Sequence, residues 1–98
     1  MTTVWEHRLV WKDHVIEIIH TCGYCRQIGL DHLSITCLSP ERAALPFTET
    51  GYKSHFLHES DVFMRGGAVA YVTAWLDEAS QLPEWKAHVE ASRQGSLF

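Results

Sequence analysis

Residues 66–81, GGAVAYVTAWLDEASQ, decide the fold, because the patterning of the chain changes there. Val69, Val72, Leu76 and Ala79 recur at helical spacing, and Ala68, Tyr71 and Trp75 widen the stripe into a broad apolar face. A helix over about 67–81 with such a face needs a flat apolar surface to lie on. Gly66 and Gly67 let the chain turn sharply into it, or present free backbone N–H groups to an anion.

The segments upstream alternate with the period of a strand. Trp5, His7, Leu9 and Trp11 share one face of the first, and Ile16, Ile18 and His20 share one face of the second. Lys12 and Asp13 form a tight polar break between them, so the pair reads as a hairpin. CGYCRQIG reads as a loop. DHLSITCL is a third strand, with Leu33, Ile35 and Cys37 on one side and His32, Ser34 and Thr36 on the other. SPERAALPFTETG, with two prolines and a Thr-Gly turn, is an ordered connecting loop. YKSHFLH resumes β character with Tyr52 and Phe56 on one face, and VFM at 62–64 adds a short edge or a bend.

Downstream of the decisive stretch, Pro83 opens a second helix over about 83–94, Trp85 and Val89 form an i, i+4 pair, and Gly95 ends it. The expectation is an α+β chain. An antiparallel sheet of four or five strands over about residues 4–64 is followed by two C-terminal helices, in a single domain over 1–93 with residues 94–98 as a tail.

Charge and hydropathy narrow the function classes. A formal charge of -4, with eight Lys and Arg scattered singly, gives no basic stripe to neutralise phosphates, so no direct nucleic-acid partner is expected. No apolar run approaches the roughly 18 residues that span a bilayer, and the N-terminus lacks a secretory pattern, so the expectation is a cytoplasmic protein without a membrane partner. Seven histidines make the charge move toward positive near about pH 6.

His20, Cys22, Cys25 and Cys37 are a candidate zinc-binding set, since Cys22 and Cys25 have the spacing of half a zinc knuckle. The alternative is that Cys37 is a small buried hydrophobe and Cys22 and Cys25 are reduced thiols. Redox chemistry would need the first thiol at a helix N-terminus, and RQIGLDH has no helical pattern. His55, His58 and Glu59 fall on opposite faces of a strand. Ser54, His55 and Asp61 have the residue types of a nucleophile triad without a nucleophile elbow around the serine. No enzymatic activity is expected, and no cofactor beyond the candidate zinc.

The stretch LSPERAALPFTETGYKSHF, followed by GGAVAYVTAWLDEAS, PEW and EASRQGSLF, resembles a group of small proteins of proteobacterial mobile elements such as plasmids, integrative elements and phages. The likeness runs from about Leu30 onward. It implies a bacterial cytoplasmic setting and a role in replication, maintenance or defence evasion, for instance as an inhibitor of a CRISPR effector. QGSLF is similar to the peptide by which bacterial replication and repair proteins dock on the DNA polymerase sliding clamp. Gln94, Ser96, Leu97 and Phe98 match that peptide, while Gly95 stands where leucine is often preferred. The structural alternative is that Phe98 packs back against Trp85 or the sheet. The readings that follow are a protein-interaction module engaging host machinery, an immunity inhibitor, and a zinc-stabilised binding module.

Overall fold

The computed structural model describes residues 2–95, and their side chains as far as Ala91. Strands β1 (Thr3–Trp11), β2 (His14–Cys25), β3 (Leu30–Ser39) and β4 (Tyr52–His58) form one antiparallel sheet in sequential order. Helices α1 (Glu59–Met64), α2 (Ala68–Ala79) and α3 (Pro83–Gly95) follow. The α+β expectation therefore holds, with four strands and three helices among the described residues.

Register puts the apolar positions of successive strands in rows. Leu9 pairs with Ile16 and His7 with Ile18, while Ile18 pairs with Ile35 and His20 with Leu33. Because side chains alternate with a period of two, this register sends every member of the rows to the same side of the sheet. There Trp11, Ile16, Ile18, Leu33, Ile35 and Cys37 meet Ala68, Val72 and Leu76 of α2, with Leu45, Leu57 and Val62 closing the margins. Each fully buried Leu, Ile or Val contributes roughly 1.5–3 kcal/mol by leaving water. The anticipated stripe of α2 is the one that is buried. Gly66 and Gly67 enter that helix at positive φ, 94° and 115°, which only glycine adopts without strain.

Two local expectations are corrected. VFM is helical, as the second half of α1, and adds no strand. His58 caps this helix through its ring, Nδ1 accepting from Ser60 N at 3.3 Å, and Glu59 and Asp61 sit favourably in the first turn. Val62 is buried while Phe63 and Met64 are exposed. The second correction is that CGYC belongs to β2, whose ladder is interrupted by a bulge between Thr21 and Cys25 and then resumes with Cys25 opposite Leu30. No helix among the described residues is long and apolar enough to cross a membrane.

Candidate functional site

The bulge creates the most distinctive chemistry in the protein. His20 and Cys22 are two apart on β2 and share its core-facing side, and Asp31 lies on the same side of β3, diagonal to His20. His20 Nε2 and Asp31 Oδ2 are 2.8 Å apart, with both residues buried. Cys22 Sγ lies 3.5 Å from Nε2 and 3.6 Å from Nδ1 of the same ring. Gly23, at a φ of 70°, turns its N–H to the other Asp31 oxygen and donates to Oδ1 at 2.9 Å. The carboxylate thus takes up a backbone donor that the interrupted ladder leaves over.

Helix α1 walls this end of the sheet. Its first residue is tied to the β2–β3 connection by Glu59 N–H donating to Gly29 O at 2.8 Å. A cavity of about 440 Å³ opens between His20, Asp31, Glu59 and the Gly66-Gly67 turn. A second, of about 500 Å³, lies on Cys22, Asp31, Glu59 and Ser60. Both share Asp31, Glu59 and Phe63, so they form one groove with the His20, Cys22 and Asp31 cluster on its wall.

This constellation is poorly suited to nucleophilic catalysis. Burial, and then the neighbouring Asp31 carboxylate, push the Cys22 thiol above its ordinary value, so it stays protonated near neutrality. The sulfur is also nearly equidistant from both ring nitrogens, rather than aligned on one as a nucleophile and its base would be. As a donor set it is more coherent: the imidazole nitrogen, thiol sulfur and carboxylate oxygen all lie within 4.8 Å of one another.

The anticipated zinc set is only partly assembled. His20 and Cys22 come together, but Cys25 is outside the cluster, on the odd-numbered alternation of β2 after the bulge. Cys37 sits opposite Ile16, near the other end of the β2–β3 ladder, where its thiol donates to Pro40 O at 3.3 Å. It is 1% exposed and behaves as the small core residue of the alternative reading. The third member, Asp31, lies outside the set that cysteine spacing suggests; its signal in the sequence is that an aspartate on the alternation of Leu33, Ile35 and Cys37 is a carboxylate at a core-facing position.

The other constellations are dispersed. Ser54 and His55 are on opposite faces of β4; Ser54 Oγ meets His32 Nε2 at 2.7 Å on the outer side, and His55 packs on Trp75 and Tyr71 on the inner side. On the outer face Tyr24, His32 and Phe56 form an exposed aromatic cluster, with ring centroids 4.6 to 5.7 Å apart. Of the tail residues, Gln94 lies in the last turn of α3, and Ser96, Leu97 and Phe98 are outside the described residues.

Residues 4–85 match the family model described as the KlcB third domain. The chain belongs to that family. KlcB is a plasmid-associated protein, which agrees with the mobile-element origin expected from the sequence. The KlcB match reaches back to Val4, well before the likeness at Leu30, and so includes the strands that carry His20, Cys22 and Asp31. It ends at Trp85, before Gln94. No curated protein and no solved structure matches the chain.

Proposed function

We propose that this KlcB third-domain protein is a non-enzymatic protein-interaction module of a plasmid or related mobile element, acting on host machinery in the bacterial cytoplasm. The sliding clamp is the most specific candidate partner, through Gln94, Ser96, Leu97 and Phe98. The observation that supports this reading is the character of α3. Only Trp85 and Val89 are half-buried in it, and its other described side chains are exposed. From Trp85 the helix carries the chain about 15 Å to Gly95, and Gln94, where QGSLF begins, lies in its last turn. Burying Leu97 and Phe98 in a preformed pocket contributes roughly 1.5–3 kcal/mol each, and after association costs the affinity is on the order of micromolar.

The exposed cluster of Tyr24, His32 and Phe56 favours a second protein contact, of the kind an immunity inhibitor uses. Surface binding to purified clamp, with the intact chain beside a Leu97→Ala, Phe98→Ala variant, tests the leading reading. The intact chain should bind and the variant should not. Equal binding by both, or binding by neither, overturns it, and capture of a CRISPR effector subunit from host lysate would favour the inhibitor instead.

A further inference from the structure

We propose that His20, Cys22 and Asp31 form a zinc site, with His20 Nε2, Cys22 Sγ and one Asp31 oxygen as ligands and the fourth position open to the groove beside Glu59. This goes beyond the interaction reading and does not depend on it. It also replaces the four-residue set expected from sequence spacing with one assembled across the bulge.

The three donor atoms lie within 4.8 Å of one another, close enough for side-chain rotation to bring them onto one ion. Zinc bonds of about 2.0–2.3 Å in a tetrahedron place ligand atoms about 3.3–3.8 Å apart. The sulfur lies 3.5 Å from His20 Nε2 and 3.6 Å from Nδ1, beside the ring and off the Nε2 lone-pair axis, so the Cys22 side chain swings toward Nε2 as zinc binds. The 2.8 Å between Nε2 and Asp31 Oδ2 is that of a hydrogen bond, and it opens by about half an ångström when zinc replaces the shared proton. Binding releases the Cys22 thiol proton to solvent and moves the imidazole proton from Nε2 to Nδ1.

Charge favours the same ion. One thiolate and one carboxylate neutralise a divalent cation while the imidazole stays neutral, so the loaded cluster carries no net charge at a largely buried place. Imidazole, thiolate and carboxylate together select zinc over the hard cations, which take oxygen alone. An outer shell is also present. Gly23 N–H holds Asp31 Oδ1, which fixes the carboxylate and leaves its second oxygen toward the imidazole. With three protein ligands the site keeps one position for water or for a donor atom of a bound molecule, as open zinc sites do. The groove lined by Glu59 and Ser60 gives access to it.

The test titrates the metal-free full chain with cobalt and with zinc. About one equivalent should bind, and cobalt should show both tetrahedral visible bands and a thiolate charge-transfer band. Cys22→Ser should lose the charge-transfer band and Asp31→Asn should alter the visible bands, while Cys25→Ser keeps both, with circular dichroism confirming each fold. The proposal is overturned by a wild-type stoichiometry near zero. A charge-transfer band that survives Cys22→Ser, or that disappears in folded Cys25→Ser, overturns it equally.

Discussion

The indole of Trp11 donates its N–H to Asp77 Oδ1 at 3.0 Å, joining the end of β1 to the solvent-facing side of α2. Trp11 is buried against the core, so its polar edge needs this partner. Asp77→Ala should therefore cost about 1–2 kcal/mol, whereas Asp77→Asn, which keeps an acceptor, should cost less. Urea midpoints at unchanged slope measure the difference. Equal losses in the two variants would mean that the hydrogen bond is not what Asp77 contributes.

Gly51 closes the long connection between β3 and β4 at a φ of 76°, and its carbonyl accepts from Cys37 N at 2.8 Å. A Cβ there would stand 2.5 Å from Arg42 C and 2.7 Å from Arg42 O, both backbone atoms that have no rotamer to retreat into. Gly51→Ala should destabilise the fold by about 1–3 kcal/mol or more. A thermal midpoint lowered by several degrees is the expected result.

His55 lies against the Trp75 ring with centroids 4.6 Å apart, and its Nε2 is 3.2 Å from the Tyr71 hydroxyl. Burial, then the positive charge of Lys53 and the proximity of His32, lower its pKa below the ordinary 6.5. The folded chain consequently resists a proton that the unfolded chain accepts. Stability should fall as pH drops through 6.5 toward the lower folded value, and be restored above it. Urea midpoints at about pH 7 and about pH 5 should differ less for His55→Gln than for the parent chain. An unchanged difference would place the pH dependence on other histidines.

Much of the architecture was legible in the residues. The rows of Ile16, Ile18 and Leu33 follow from alternation alone, and the stripe of Val72 and Leu76 needed only helical spacing, since burial of one face is what selects both patterns. Helix α1 was not legible, being six residues long and capped by a histidine ring rather than by a serine, threonine or aspartate. The site was half legible. Parity places His20 and Cys22 together, but spacing along the chain says nothing of register. It therefore cannot reveal that Cys37 faces Ile16 while Leu33 faces His20. The alternation marks Asp31 as a carboxylate at a core-facing position, but its partners are set by the interrupted ladder rather than by neighbours in sequence.

That interruption makes the cluster depend on the number of residues in the strand as well as on their identities. Between the paired positions, β2 has Cys22, Gly23 and Tyr24 where β3 has Asp31 alone. Removing one of the three would leave an ordinary two-against-one bulge and change which residue of β2 stands beside Asp31. Removing two would restore an unbroken ladder, with Cys22 as the direct rung partner of Asp31 and no spare N–H for its carboxylate. A substitution at Tyr24, whose ring packs on His32 and Phe56 of the outer face, keeps the number of residues, whereas an insertion or deletion between Thr21 and Cys25 changes it. Within the family, the length of this short segment is therefore the trait expected to travel with the cluster.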